Sequence, residues 1–272
     1  RMPAPRLLRR DWQKDHVYLV QFPRAGCIPS ASPFSLKLES WLRLVDIPYS
    51  NVSNNFKTKS ARGQIPFIEL NGRQVADSND CIEHLKQEFK KDPEANFTAD
   101  QLAHYKAYHS LIEDKIFWAI PYTRGRDNKW FMTDKGFGKH FRGVKLFLFK
   151  NLIAGQMAKK IKSKTQAQGI GRLNQIEMEN VTKEGFDSLE AFLGNKAFFF
   201  GNSPTTLDVT AFGHIMQFLY TPQLSNELKN HLEQNCPNLT RMVNRIKTEY
   251  WPDWDEACEK LSLDTQWKKT TQ

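Results

Sequence analysis

The chain has 272 residues, with 39 Lys and Arg against 30 Asp and Glu and a formal net charge of +9. Its 40% hydrophobic and 12% aromatic residues can form a large core, which excludes a disordered chain, a collagen-like repeat and a disulfide scaffold. A net positive charge of this size is typical of nucleic-acid-binding proteins. Whether it indicates such a function here depends on where the basic residues lie in the sequence.

The positive charge is confined to two segments. Residues 1–10 contain four Arg, residues 139–164 contain eight Lys or Arg, and neither segment contains an acidic residue. The remainder of the chain has a small net negative charge, and no DNA- or RNA-binding motif occurs in it. We therefore expect no nucleic-acid partner.

The four cysteines show no C-x-x-C spacing and no accompanying His cluster. We expect them to be reduced, in a cytoplasmic protein with no metal. The sequence contains no run of 18 apolar residues, and hence no predicted membrane span. Because the sequence begins with Arg1 rather than Met, any membrane anchor is expected in a segment that precedes Arg1.

The first ninety residues alternate between strand and helix patterns. Ser32 and Pro33 are typical first residues of a helix, and Asn71-Gly72 predicts a two-residue hairpin turn. The predicted order is β-α-β, a β-β hairpin and α. These elements are a strand over 17–22, a helix from Pro33, strands over 47–52, 65–70 and 73–76, and a helix over 80–89.

Helical spacing dominates the rest of the chain. Thr205 and Asp208 form a capping box ahead of an apolar run, and Pro237 marks a turn. The charged stretch around 91–99 is the natural boundary between the two halves. Helices are predicted over 99–120, over 173–193, from Thr205 to Leu219, and as one or two segments over 223–250.

Three motifs of the first half lie at element ends. Ser32-Pro33-Phe34 lies at a strand-to-helix turn, Gly63-Gln64-Ile65-Pro66 precedes the hairpin, and Asp77-Ser78 begins the next helix. Together they resemble the thioredoxin-fold half of a glutathione transferase, in which the X-Pro bond before the third strand is cis.

A more specific resemblance lies within that superfamily. The stretches QFPRAGCIPSASPFSLKLESWLRLVDIPYSNV and GQIPFIELNGRQVADSN are similar to the failed axon connections and cadmium-responsive glutathione-transferase-like proteins, which are relatives of metaxin. The resemblance implies a basic N-terminal segment over 1–14, a thioredoxin-like α/β domain over 15–92 and an all-helical domain over 99–262.

The resemblance implies two alternative functions. The first is a transferase that conjugates the thiolate of glutathione, its co-substrate, to an apolar electrophile in detoxification or a stress response. Its expected partners are glutathione, a hydrophobic small molecule and a second copy of the chain. The second is a non-catalytic, membrane-associated scaffold resembling metaxin.

The residues suit glutathione chemically. A hydroxyl at a helix N-terminus stabilises a thiolate, which makes Ser32 the catalytic candidate. A cis Pro66 would present the backbone of Ile65 to the cysteinyl part of glutathione. Asp77 suits the ammonium group, and Ser78 suits the γ-glutamyl carboxylate.

Two further residues are candidate glutathione contacts, and two residues are alternatives to Ser32. Gln64 is expected near Asp77 by resemblance, and Lys57 is a candidate partner of the glycyl carboxylate. Ser30 or Cys27 could replace Ser32 at the thiol, because the loop from Arg24 to Ala31 is longer than in ordinary glutathione transferases. A loop of that length could also reshape or cover the thiol site.

Aromatic residues of the first long helix are candidates for the co-substrate pocket, with a role in the core as the alternative. The aromatic residues of the following loop, Trp130, Phe131 and Phe137, have no assigned role. The pocket candidates are Tyr105, Tyr108, Phe117 and Trp118.

The basic segment 139–164 has an apolar stripe formed by Phe141, Val144, Leu148 and Leu152. An apolar and basic helix can lie on an anionic membrane surface, and the alternative is an internal helix with solvated lysines. The glycines that follow predict an exposed basic loop near 158–172.

Overall fold

The computed structural model describes residues 7–148, 154–265 and 267–268. Four strands form one sheet, which contains β1 (Val17–Gln21), β2 (Tyr49–Ser53), β3 (Phe67–Leu70) and β4 (Arg73–Ala76). Their order across the sheet is β2-β1-β3-β4, with β1 and β2 parallel and the other neighbours antiparallel. The predicted β-α-β and hairpin order is confirmed.

Helices joined by loops and short turns follow and flank the sheet. Two of them belong to the α/β half, and the others form the all-helical half. They are α1 (Pro33–Leu44), α2 (Ser78–Phe89), α3 (Ala99–Ser110), α4 (Ala119–Arg126), α5 (Gly143–Leu148), α6 (Ala154–Gln168), α7 (Gln175–Leu193), α8 (Thr206–Tyr220), α9 (Glu227–Asn235), α10 (Pro237–Tyr250) and α11 (Trp254–Lys260).

The β3–β4 hairpin positions two of the predicted motifs. Its turn residues, Asn71 and Gly72, have φ of 49° and 77°, as the two-residue turn requires. Phe67 pairs with Ala76 at the open end of the hairpin. The register therefore places the turn before β3 beside the residue that begins α2, and the Ile65–Pro66 bond in that turn is cis, as expected.

The helix predicted over 99–120 is wrong as a single α-helix. The α3 helix ends at Ser110, and a π-helical turn over Leu111–Lys115 and a 3₁₀ turn over Ile116–Trp118 precede α4. Pro121 lies in the first turn of α4 and has no N–H to donate to the turn before it, so the hydrogen-bond pattern of a single α-helix is interrupted there.

The exposed basic loop predicted near 158–172 is also wrong. The α6 helix continues to Gln168, and a 3₁₀ turn over Ile170–Arg172 follows. In α5, Val144 and Phe147 are 73% and 65% exposed. Leu152 of the predicted stripe lies outside the described residues. None of the described helices has the length and apolar composition needed to cross a bilayer.

The two halves meet where α1 packs against α8. Gly213 of α8 lies against the N-terminal turn of α1, and a Cβ there would be 2.6 Å from the carbonyl oxygen of Pro33. Trp41 Nε1 donates to Thr206 Oγ1 at 3.0 Å. The predicted capping box of Thr205 and Asp208 is present at the start of α8. The packing thus fixes the N-terminus of α1.

A buried ionic cluster ties α1 to the C-terminal region. Glu39 accepts from both guanidinium nitrogens of Arg24 at 2.7 Å, and Arg43 binds Asp253 at 2.5 Å. Burial alone would raise the pKa of Glu39, but the two guanidinium groups hold it well below its usual range. These charges are all compensated within the protein.

Candidate functional site

Ser32 lies at the N-terminus of α1. Its backbone is extended, with φ of −100° and ψ of 117°, and its Oγ accepts a hydrogen bond from the N–H of Ser35 at 3.3 Å. Pro33 is the first helical residue, where a missing N–H costs no hydrogen bond. The hydroxyl therefore lies at the positive end of the helix dipole and keeps its own O–H for donation.

A cavity of about 260 Å³ opens beside Ser32. Its wall is almost entirely aromatic and aliphatic, and its polar side chains belong to Ser32 and Arg124. The lining residues are Phe22, Ala31, Ser32, Pro33, Phe34, Phe56, Phe117, Arg124, Phe131, Phe137 and Met157. Both halves of the chain contribute to this cavity, which suits a small apolar molecule.

Ser30 and Cys27 have other surroundings. The Ser30 hydroxyl is fully buried and accepts from the N–H of Ser32 at 3.3 Å, and the carbonyl of Ser30 accepts from Gln217 at 3.1 Å. Burial raises the pKa of the Cys27 thiol to about 11, although Arg124 opposes the shift. A thiol with that pKa is protonated at neutral pH and is a poor nucleophile.

The long loop before Ser32 is fastened to the helical half. The N–H groups of Gly26 and Cys27 donate to the carbonyls of Gly136 and Lys135 at 3.0 and 2.9 Å. A Cβ at Gly26 would lie 1.8 Å from the carbonyl oxygen of Asp134, so only glycine fits this contact. The loop thus helps to enclose the cavity. Its unusual length is the feature of the sequence from which this role can be expected.

The predicted γ-glutamyl contacts lie together at the start of α2. Gln64 Nε2 donates to Asp77 Oδ2 at 3.3 Å, and Asp77 Oδ1 accepts from the N–H of Asn79 at 2.9 Å. Asp77 has φ of 82°, a strained conformation for a residue other than glycine. Ser78 is buried as the first residue of α2, and Pro66 is buried as well.

Lys57 lies on a second, more polar cavity of about 640 Å³. Asn51, Asn55 and His140 also line this cavity, and Phe56 lies in the walls of both cavities. Lys57 is exposed, and its backbone N–H donates to the carbonyl of Asn54 at 3.0 Å. The lysine is therefore near the aromatic cavity but separated from it by one ring.

The four aromatic candidates divide between two places. Phe117 lines the cavity and packs against Phe34, with 4.8 Å between ring centroids, and Trp118 contacts Phe117. Tyr108 stacks on Phe192 at 4.0 Å, and Tyr105 contacts Phe97. The two tyrosines therefore belong to an aromatic cluster of the helical half.

Most of the cavity wall was not predicted. Phe131 and Phe137 stand in the glycine-containing loop whose aromatics had no assigned role, and Met157 stands in the basic segment. Arg124 follows the predicted helix and had no pattern around it. A single basic residue in a helix gives no sequence signal for an inward-facing side chain.

A buried polar network links α2 to the helical half. Lys37 Nζ donates to Asn79 Oδ1 at 2.7 Å and to Glu113 Oε1 at 2.6 Å, and Asn79 Nδ2 donates to Glu113 Oε2 at 2.7 Å. His109 Nε2 lies 3.1 Å from Asn79 Oδ1. Burial opposes ionisation of Glu113, but Lys37 lowers the pKa of Glu113 to about 2. The network anchors the residue that follows Ser78.

Asp187, His231 and Cys236 bring three types of metal-ligating atom within 4.8 Å of one another. Asp187 Oδ1 and His231 Nε2 already pair at 2.6 Å. Burial, with the carboxylates of Asp187 and Glu190 nearby, raises the pKa of the Cys236 thiol to about 12. A protonated thiol is a poor metal ligand.

Two family models match the chain. The glutathione S-transferase N-terminal domain matches residues 33–130, and the glutathione S-transferase C-terminal domain matches residues 182–246. Together the two matches take in more than half of the chain. A glutathione S-transferase of Ceriporiopsis subvermispora, solved in complex with glutathione, superposes with a TM-score of 0.59 and 14% identity over 85% of this chain and 96% of that one.

Three relatives add detail. Failed axon connections of Drosophila melanogaster is 37% identical over an alignment of 268 positions, which covers 94% of this chain but only 63% of the fly protein. An isoprene-epoxide–glutathione S-transferase of Rhodococcus sp. (strain AD45) is 27% identical over 82% of this chain and 94% of its own. Metaxin-2 of Mus musculus is 24% identical over 90% and 92%. The chain therefore belongs to the glutathione transferase-like superfamily, where it is similar to the failed axon connections and metaxin proteins.

Proposed function

We propose that the protein is a glutathione-dependent transferase that joins the thiolate of glutathione to a small apolar electrophile. The observation that carries this proposal is the position of Ser32, whose hydroxyl lies at a helix N-terminus in the wall of an otherwise apolar cavity. A thiolate placed there would accept a hydrogen bond from the Ser32 O–H and would be stabilised by the positive end of the helix dipole. The electrophile would bind in the aromatic cavity.

The α2 end supports the same proposal. Asp77 and Gln64 form one polar surface beside the cis proline, where the ammonium and γ-glutamyl carboxylate of glutathione would bind. Lys57, on the far side of Phe56, would bind the glycyl carboxylate. The similarity to an isoprene-epoxide–glutathione S-transferase favours electrophiles of the size of a small epoxide.

The proposed reaction is a nucleophilic addition or displacement. The glutathione thiol first gives its proton to water, and the thiolate sulfur then supplies the electron pair for the new C–S bond. With an epoxide, one C–O bond breaks and the alkoxide takes a proton from water. With a displacement, the leaving group departs with the electron pair of its bond to carbon.

The test compares glutathione binding and conjugation of an epoxide for the wild type, S32A and S188A, the last an exposed hydroxyl used as a control. We expect S32A to bind glutathione and to lose about 10²-fold or more in kcat/KM, with S188A unchanged. Absence of glutathione binding by the wild type at millimolar concentration would reject the proposal. Activity that survives S32A but disappears in S30A or C27A would transfer the role to that residue.

A second candidate function is a membrane-associated scaffold without turnover. It is favoured by Val144 and Phe147, which are largely exposed on a helix close to Lys139 and Arg142. Sedimentation with anionic and with neutral vesicles tests it, with V144S as the variant and L102S, an exposed leucine of α3, as the control. Equal and negligible binding to both vesicle types would reject this function.

A further inference from the structure

Arg124 carries a charge that no acidic residue compensates. Every Asp and Glu of the chain lies among the described residues, and Cys27 is the one ionisable group that acts on the pKa of Arg124. Arg24 and Arg43, the fully buried arginines of the described residues, both contact carboxylates. Burying a cation without a counter-charge costs free energy. Arg124, unlike Arg24 and Arg43, therefore needs a negative charge from outside the protein.

The guanidinium is held at one end of the cavity. Its Nη1 donates to the carbonyl of Ala31 at 2.6 Å, and its Nη2 donates to Gln217 Oε1 at 2.8 Å. The ring of Phe131 lies 5.6 Å from it on another side. Because Ala31 directly precedes Ser32, the bond to its carbonyl ties the positive charge to the backbone next to Ser32.

The surroundings keep this group protonated. Burial lowers the pKa of Arg124 to about 10, which still leaves the side chain charged at neutral pH. Arg124 lines the cavity, whose other walls are apolar apart from Ser32. The occupant of the cavity is therefore the species that can supply the negative charge.

We propose that Arg124 is a second catalytic residue, which stabilises the thiolate of bound glutathione together with Ser32. This inference rests on the proposed function. The glutathione thiol gives its proton to water, and the sulfur that remains is placed between the Ser32 O–H and the Arg124 guanidinium. A carboxylate on the electrophile is the alternative counter-charge. The hydrogen bond to the carbonyl of Ala31 favours the thiolate, because it holds the guanidinium next to Ser32.

The experiment is an ultraviolet titration of thiolate absorbance for glutathione bound to the full chain, without electrophile. The variants are R124M, R124K and Q217E, the last giving Arg124 a carboxylate from the protein itself. R126M is the matched control, because Arg126 lies on the same helix, is exposed and contacts the ring of Tyr122.

We expect R124M and Q217E to raise the pKa of the bound thiol by at least about 1 unit, R124K to restore part of the shift, and R126M to leave it unchanged. Epoxide conjugation near neutral pH should fall about tenfold in R124M and recover as the pH rises. Circular dichroism of each variant establishes that it is folded, and Q217E gives the answer should R124M not fold.

Two results would overturn the inference while leaving the proposed function in place. One is glutathione binding with the same thiol pKa in R124M and Q217E as in the wild type. The other is a loss confined to electrophiles that carry a carboxylate, which would assign the cation to the co-substrate. A wild-type chain that binds no glutathione would reject the proposed function and this inference with it.

Discussion

Lys37 of α1 and Glu113 of the helical half form an ion pair, with Nζ 2.6 Å from Oε1 and with no more than 9% of either side chain exposed. Both side chains also bind Asn79, the residue after Ser78. The π-helical turn that contains Glu113 brings its carboxylate to this position. The packing of the two halves and the proposed γ-glutamyl contacts are therefore coupled through one asparagine.

Replacing Glu113 by glutamine should leave the Lys37 ammonium buried without a counter-charge. We expect E113Q to lower the free energy of unfolding by about 3–5 kcal/mol, measured by urea titration, and to weaken glutathione binding. E184Q is the control, because Glu184 is largely exposed and lies 3.7 Å from Lys115. Equal stability of E113Q and E184Q would show that the ion pair is not needed.

Replacing Asp77 by asparagine separates charge from helix capping, because asparagine is an equally good N-cap. We expect D77N to keep the stability of the wild type and to weaken glutathione about 10- to 100-fold by calorimetry, through loss of a charged contact with the ammonium group. D80N, which removes an exposed carboxylate that pairs with Arg62, should bind as the wild type does. Unchanged affinity in D77N would remove Asp77 from the site.

A methyl group at Gly213 should disturb the packing of α8 against α1. Its Cβ would be 2.6 Å from the carbonyl oxygen of Pro33 and 2.9 Å from the N of Lys37. We expect G213A to lower the free energy of unfolding by about 1–3 kcal/mol and to reduce conjugation by displacing Ser32. G155A is the matched control, because no described residue has an atom within 4 Å of that Cβ in α6. There we expect a gain of about 0.5–1 kcal/mol.

His214 should make the protein sensitive to mild acid. Burial lowers its pKa to about 4 from an ordinary value of 6.5, with Glu113 opposing the shift and with Lys37 and His109 contributing to it. A lowered histidine pKa means that the unfolded chain binds the proton first, so stability is complete above pH 6.5 and is lost as the pH falls toward 4. The loss is on the order of 3 kcal/mol, at about 1.4 kcal/mol per unit.

The variant H214Q removes this titration and can still donate to the carbonyl of Thr210, which His214 Nδ1 contacts at 2.8 Å. Between pH 7 and pH 4 its free energy of unfolding should fall by about 3 kcal/mol less than that of the wild type, by urea titration at each pH. H104Q, at an exposed histidine, should follow the wild type. The same pH profile for all three proteins would contradict the assignment.

The features that the sequence predicts correctly, turns and helix starts, depend on local residue patterns. Asn71-Gly72 can form few structures other than a tight turn, and Thr205 with Asp208 forms a capping box wherever a helix follows. Ser32 and Asp77 were recognisable because each stands at a helix start beside a proline or a strand end. The family resemblance placed Gln64 near Asp77, and the register of the hairpin supplies the physical reason.

The features that the sequence does not predict depend on contacts between distant parts of the chain. Arg124 faces inward because Gln217 and Ala31 accept its hydrogen bonds, and neither partner is visible from the residues around it. The helix changes geometry after Ser110, and Pro121, eleven residues further on, interrupts its hydrogen-bond pattern. The basic residues after 158 were assigned to a loop, although glycine breaks the helix only at Gly169.

The cavity beside Ser32 is lined by Phe22, Ser32 and Phe56 from the α/β half and by Phe117, Arg124 and Phe131 from the helical half. Neither half by itself encloses this cavity. A chain cut between α2 and α3 would yield two fragments, one with the Ser32 hydroxyl facing solvent and one with an exposed aromatic surface. The proposed catalysis is thus a property of assembly, which requires the two halves to be docked and would be lost when they separate.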